Sequence, residues 1–391
     1  MFVKRMTLKN FRCFSDLSID FDEHCTVLTG KNSSGKSSVL DALSIALGSY
    51  LTGVTGGTFN SLSQDDVRLQ SFKSADSSES KNTILNRKMF PAEIEVEISA
   101  ESRDFHWKRS LLKEGGRTKT ADSKPITEYS QELRSAVSKG KENLILPVIA
   151  YYGTDRLYKQ KKDSADEWIF GRFERTQGYD HCLNTASDEK LFLRWFRRML
   201  AVEYQNRKNV PELMVVKQAM GRCYACMEAG TDKGKEGKEG KEIPDFDFKT
   251  DSREFEIEYI NSERQKERLP FRMLSDSLRV TLSMVGDLAS RMAMLNPDLQ
   301  DDITRKTPGI VMIDDIDMRL HPAWQKSIIG ALRNIFPEVQ FIITAHSPTV
   351  LANIDSPSHI RMLDHNAVSV SGFKTSSPAT DDLMECVMNR D

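Results

Sequence analysis

The sequence predicts an α/β fold: a mostly parallel, buried core sheet with helices on both faces, a mixed sheet near the N-terminus, and a largely helical insertion between the two halves of the core. Three observations predict it. A short apolar strand, Thr26 to Gly30, runs into GKNSSGKS and then into a helical pattern. From Phe271 onward, strands alternate with helices. Two of those later strands are largely apolar and run out into chemistry-bearing residues, Asp314-Asp315 in one case and His346 in the other.

The first part of the chain reads as strands. Leu17, Ile19 and Phe21 alternate with polar positions, the signature of a half-buried strand. Ser37 to Leu47 has apolar residues on most sides, as expected of a buried helix. Thr52 to Asp76 is rich in Gly, Ser, Thr and Asp and reads as loop. Glu93, Glu95 and Glu97 interleave with Ile94, Val96 and Ile98, giving a strand that pairs with Asp104 to Leu112. Thr118 to Lys141 is polar and reads as a partly mobile connection, and Leu144 to Tyr152 as a buried strand. Helical spacing covers Glu189 to Tyr204, with an aromatic stripe that suits core packing, and Pro211 to Met227. Gly234 to Glu242 repeats GKE three times and reads as a solvated loop. The last third predicts a helix Ser275 to Leu295, strand Gly309 to Ile313, helix Trp324 to Ile335, strands Gln340 to Thr344 and His359 to Leu363, and a C-terminal helix near Asp381 to Met388. The domain boundaries expected from this pattern are 1–112, 113–270 and 271–391.

Composition narrows the function classes. The chain has 391 residues, 39% hydrophobic and 29% charged, with a formal net charge of −2. That balance gives no overall pull toward nucleic acid or an anionic membrane, although a local basic groove stays open. No apolar run approaches the roughly 18 residues that span a bilayer. Six scattered cysteines do not form a disulfide scaffold, so a cytoplasmic setting is expected. Cys223 and Cys226 form a lone CxxC on a helix, which favours a structural role over a zinc site.

Gly30-Lys31-Asn32-Ser33-Ser34-Gly35-Lys36-Ser37 fits GxxxxGK[ST] at every fixed position, with a strand before and a helix after. Such a loop curls its backbone N–H groups around phosphate oxygens and adds the positive end of the next helix. Lys36 is placed to reach the β- and γ-phosphates of ATP, and Ser37 to ligate Mg²⁺. Ser38 follows on the first turn. This loop needs an acidic metal partner at the end of a neighbouring strand. Ile310 to Ile313, running into Asp314 and Asp315, supplies it: Asp314 for the metal, Asp315 for polarising the attacking water. His346 ends the next strand and would lie beside the γ-phosphate.

LKNFRCF, GKNSSGKSS, LSDSL (Leu274 to Leu278), IVMIDDIDMRLHP and FIITAHSPTVL, in that order, resemble the ABC-type P-loop ATPase heads of the RecF/SMC/OLD group. Among these, the chain is most similar to the predicted ATP-binding proteins involved in virulence, which overlap the PtuA ATPase subunits of Septu and retron anti-phage systems. The stretch Tyr151 to Arg156, YYGTDR, also looks like this family. The resemblance implies head-to-tail dimers or larger oligomers that sandwich ATP. In that arrangement Ser275 of one copy, at the start of its helix, meets the γ-phosphate held by the other; its plainer reading is a helix N-cap. The resemblance also implies that Arg12 lies near the nucleotide, that Gln64 is a Q-loop residue, and that Asp317 and His321 belong to the loop crossing the dimer interface. Two departures stand out. Ser277 replaces the usual signature glycine, and Asp315 the usual catalytic glutamate. A carboxylate drawn back by about 1.5 Å is a weaker base, so slow hydrolysis is expected.

None of the seven histidines has the paired spacing of an HNH nuclease, and the residues after His346 are too few for a TOPRIM nuclease. An effector is therefore expected from a partner, in Septu-like systems an HNH nuclease of the PtuB type, with any DNA reached through that partner. The other class is a RecF-like ATPase that clamps DNA directly, for which Lys159 to Lys162 and Arg194 to Arg198 are locally basic, or else solvated faces. The long insertion and the lack of membrane segments argue against a transporter subunit.

Overall fold

The computed structural model describes residues 1–73, 84–141, 143–154, 174–185, 189–229, 244–249, 254–260, 265–356 and 359–370. Asp155 and Arg156 of the YYGTDR stretch, Lys159 to Lys162, the GKE repeat and the expected C-terminal helix lie outside these residues.

The chain opens with β1 (Phe2–Phe11), β2 (Phe14–Asp20) and β3 (Cys25–Thr29), followed by α1 (Lys36–Thr55). Next come β4 (Leu69–Lys73), β5 (Ile84–Lys88), β6 (Ala92–Ala100), β7 (Arg103–Leu111), α2 (Lys124–Ser138) and β8 (Val148–Tyr152). The middle holds α3 (Glu189–Asn206), α4 (Pro211–Ala229), β9 (Asp245–Lys249), β10 (Glu254–Ile260) and β11 (Lys266–Pro270). The last third holds α5 (Asp276–Leu295), α6 (Ile303–Lys306), β12 (Gly309–Ile313), α7 (Pro322–Gln325), α8 (Ile328–Ile335), β13 (Val339–Thr344), α9 (Pro348–Leu351), β14 (Ile360–Asp364) and β15 (Ala367–Val370).

Two sheets position the site. An antiparallel sheet, order β2-β1-β6-β7, covers one side. β6 alternates strictly between buried and half-buried residues, as its Ile/Val and Glu positions require. The second sheet runs β15-β14-β3-β13-β12-β8 and is parallel from β14 to β8. β3, β8, β12 and β13 are buried at every residue, which explains their largely apolar composition. Thus β8, from the expected 113–270 insertion, is an edge strand of the core sheet beside β12. Gln340 in β13 stitches the two sheets: its side-chain amide accepts from the Val3 N–H at 2.8 Å and donates to the Val3 and Asp22 carbonyls at 2.8 Å each.

Several elements differ from expectation. α1 continues through Thr55 into the expected loop, because Tyr50, Leu51 and Val54 are buried. By length and composition α1 could cross a membrane, but 78% of its apolar window is buried inside the fold. The same expected loop also yields β4, which pairs with β5. The polar stretch Thr118 to Lys141 contains α2, whose Ile126, Tyr129 and Leu133 form one buried face. Trp324 to Ile335 splits into α7 and α8 at Lys326-Ser327.

Candidate functional site

The loop after β3 is shaped by its backbone. Gly35 has φ 96°, and a Cβ there would lie 2.3 Å from the Phe14 ring and 2.6 Å from Cys13 Sγ. Only glycine fits that combination of left-handed backbone and close packing. Gly30 and Ser33 also have positive φ. α1 then starts with no side-chain cap and no acid in its first turn, so its first N–H groups remain available to an anion. Lys31, Asn32 and Ser33 are exposed, whereas Ser34 is buried with no hydrogen-bond partner for Oγ. Lys36 folds back over the loop and donates to the Gly30 and Lys31 carbonyls, both at 2.9 Å. Burial pulls its pKa below the ordinary lysine value, while the charges of Asp315, Asp314 and Asp317 push the other way.

The acidic pair arrives from the other end of the chain. Ser37 donates to Asp314 Oδ1 at 3.1 Å. Thr344, at the end of β13, donates to the same oxygen at 2.7 Å and accepts the Asp315 N–H at 2.7 Å. Asp315 has φ 47°, and its Oδ1 lies 3.5 Å from His346 Nε2. The structure therefore brings together Lys36, Ser37, Asp314, Asp315 and His346. Asp317 accepts the His346 N–H on one oxygen, and its other oxygen is buried without a hydrogen-bond partner. Among the described residues, no group of three or more His, Cys, Asp or Glu is placed to hold a metal. One serine, one carboxylate and the substrate's phosphates are a donor set that suits Mg²⁺, which keeps several of its waters.

Arg12 sits in the β1–β2 turn, with its guanidinium shared between Asp41 on α1 and Asp66, the latter at 2.9 Å. Asp66 also accepts from Ser63, at 2.8 Å from its hydroxyl and 2.9 Å from its N–H. This fixes the short turn Gln64–Asp66, in which Gln64 Oε1 is buried without a hydrogen-bond partner. Asp41, Asp66 and Thr344 are the site neighbours that sequence reasoning missed. Thr344 alone carried a signal, as a hydroxyl ending an apolar strand opposite two acids.

Ser275 is exposed at the start of α5, where its side chain caps the Leu278 N–H at 3.4 Å and faces Ser277 Oγ at 3.4 Å. Arg319, after β12, lies 3.9 Å from Asp276. His321 caps α7 through the Ala323 N–H at 3.2 Å. Cys223 is buried on α4, with its sulfur 3.8 Å from that of Met227.

An AAA-domain family model matches residues 5–218, and a second AAA-domain model matches residues 232–352. The "Retron Vc95 probable ATPase" of Vibrio cholerae is 25% identical over 97% of this chain and 76% of its own. The "Retron Ec83 probable ATPase" of Escherichia coli is 24% identical over 89% of this chain and 69% of its own. A "Septu protein PtuA" of Bacillus mycoides is 38% identical over 21% of this chain and 11% of its own. Among solved structures, an SMC head bound to the C-terminal winged-helix domain of ScpA matches with TM-score 0.51 and 16% identity, covering 95% of this chain and 97% of that one. The chain therefore belongs to the AAA-domain family, built on the SMC-head form of the P-loop ATPase fold and related in sequence to retron and Septu ATPases.

Proposed function

We propose that this chain binds ATP with Mg²⁺ in the loop Gly30 to Ser37 and hydrolyses it slowly. In this reading the site is completed by Ser275 of a second copy, and the ATP-bridged assembly scaffolds and regulates a partner nuclease of a bacterial anti-phage system. One observation carries the nucleotide part: the 3.1 Å hydrogen bond from Ser37 to Asp314, which joins the phosphate loop to the acidic strand end. Lys36 would exchange its two carbonyl contacts for phosphate oxygens. Ser37 and Asp314 would hold Mg²⁺, which neutralises charge on the transferring phosphate. Asp315, with His346 beside it, would orient the attacking water. The exposed start of α5 supports closure by a second copy. The retron and Septu relatives support the defence role; the HNH-type partner is what the resemblance to Septu systems implies.

Binding of a fluorescent ATP analogue and phosphate release test the site. Lys36→Ala should weaken binding at least tenfold, because a hydrogen bond to a charged group contributes about 1.5–3 kcal/mol. Asp314→Asn should abolish Mg²⁺-dependent turnover. Unchanged binding in Lys36→Ala would sink the assignment. For the partner, co-purification with a small HNH protein encoded next door is the deciding observation.

A second reading has one supporting feature. Arg194, Arg197, Tyr204 and Lys208 are exposed on or just beyond α3, with Tyr204 at 88%, a basic and aromatic stripe suited to a direct DNA contact. Salt-dependent DNA binding by the protein alone would favour this clamp.

A further inference from the structure

Tyr151 and Tyr152 close β8 and belong to no role assigned so far. Successive side chains of a strand point to opposite faces of its sheet, and these two reach different helices. The Tyr151 hydroxyl donates to Asp41 Oδ1 at 2.9 Å, on α1, one turn beyond Ser37. The Tyr152 hydroxyl donates to Asp287 Oδ2 at 2.7 Å, on α5. Between them, the Tyr152 carbonyl accepts the N–H of Asp314 at 2.8 Å. One dipeptide thus touches the helix of the phosphate loop, the helix that starts at Ser275, and the backbone of the acidic strand end.

Its surroundings are costly to build. Asp287 is 1% exposed and Arg291 is 2% exposed, and they pair at 2.8 Å. Arg291 also donates to the carbonyls of Gly178 and Asp180 at 3.0 and 2.8 Å. The segment after them lies along β8, where the Tyr151 N–H donates to the Cys182 carbonyl at 2.7 Å and the Gly153 N–H to the Thr185 carbonyl at 3.0 Å. A buried ion pair is often no more stabilising than apolar residues of similar volume. Its gain here is geometric: it fixes where α5 meets the end of β8. Burial, and next the charge of Asp41 or Asp287, raise the pKa of both tyrosines, so both hydroxyls stay protonated donors.

We propose that Tyr151 and Tyr152 are positioning residues that couple α1 to α5 through the backbone of Asp314, so that seating of α5 against a second copy is transmitted to the metal side of the ATP site. This rests on the two-copy reading given above. From Ser275 to Asp287 the helix is about 18 Å long at 1.5 Å per residue. A rigid helix of that length carries a shift at its N-terminus to the Tyr152 hydroxyl.

Tyr→Phe removes the hydroxyl and keeps the ring, so the packing survives. The experiment compares wild type, Tyr151→Phe, Tyr152→Phe, Ser275→Ala and each Phe variant combined with Ser275→Ala. Thermal melts establish folding. Fluorescent-ATP binding is read with Mg²⁺ and with EDTA, and turnover is split into kcat and KM. Both Phe variants should keep their EDTA affinity within about twofold, while Tyr152→Phe should need at least roughly tenfold more Mg²⁺ and lose a similar factor in kcat at unchanged KM, the size of one lost hydrogen bond to a charged group. Residues this far apart with no shared partner give additive effects. Coupling predicts instead that Tyr152→Phe with Ser275→Ala is little worse than the more damaging single variant. Effects that multiply, or an unchanged Mg²⁺ requirement, overturn the proposal and leave the tyrosines as packing. If Tyr152→Phe does not fold, the Tyr151→Phe combination carries the same test. If Ser275→Ala alone changes neither binding nor turnover, the two-copy reading fails first, and the coupling falls with it.

Discussion

Asp315 holds a left-handed backbone conformation, φ 47°, which costs a non-glycine residue on the order of 1–3 kcal/mol. The cost is met locally by the bond from its N–H to Thr344 Oγ1. The turn brings its carboxylate to 3.5 Å from His346 Nε2, where the proposed function needs a group that orients water. Asp315→Asn should therefore retain nucleotide binding and lose most turnover. Asp315→Glu should raise turnover severalfold, because the longer side chain restores the reach that aspartate lacks. Steady-state phosphate release checks both, and an unchanged rate in Asp315→Glu would show that side-chain length does not limit hydrolysis. At this scale the sequence was most legible where chemistry demands fixed residue types at fixed spacing, as in Gly30 to Ser37. The partners of Arg12 were not legible. Asp41 looks like any helix-surface acid and Asp66 like any loop acid, and only the fold places both against one guanidinium.

Between elements, α1 and α2 approach each other closely at Gly53. A Cβ at Gly53 would lie 1.9 Å from Ser130 Oγ and 2.5 Å from the Thr127 carbonyl. Ser130 is fully buried and its hydroxyl is committed to that same carbonyl. Gly53→Ala gains helix propensity but must push the helices apart, and overpacking costs about 1–3 kcal/mol. Its thermal midpoint should fall by several degrees, which a calorimetric scan would measure; a rise would mean that α2 shifts freely. The same contact explains a failure of reading. The Gly, Ser, Thr and Asp content from Thr52 onward suggested that α1 ends early, and α2 carries too few apolar residues to stand out. Each helix is justified by the other, through Ile126, Tyr129 and Leu133, and a pairing of that kind is invisible in a local window. β12 and β13 were legible because burial on both faces leaves apolar runs, Ile310 to Ile313 and Phe341 to Ile343.

The whole molecule depends on joining two sheets of different type. Gln340 does so with three bonds at once, one accepted and two donated. Gln340→Glu keeps the shape but cannot donate, leaving two carbonyls facing a buried carboxylate. It should destabilise the protein by about 3–5 kcal/mol, the cost of an uncompensated buried charge, with denaturant titration as the measurement. Stability close to that of the parent would mean the sheets are held by other contacts.

The strand order has a further consequence, in time. Among the described residues β3 pairs with β13 and β14, although it precedes both by more than half the chain. A ribosome adding roughly 5–20 residues per second takes about 15–60 s to travel from Thr29 to Thr344. During that interval a strand destined for complete burial waits with both edges open, and the phosphate loop has no acidic partner. The nascent protein is therefore most exposed to aggregation just before its ATP site first exists, and holding that one strand apart from its neighbours on other polysomes is the task its folding sets for the cell.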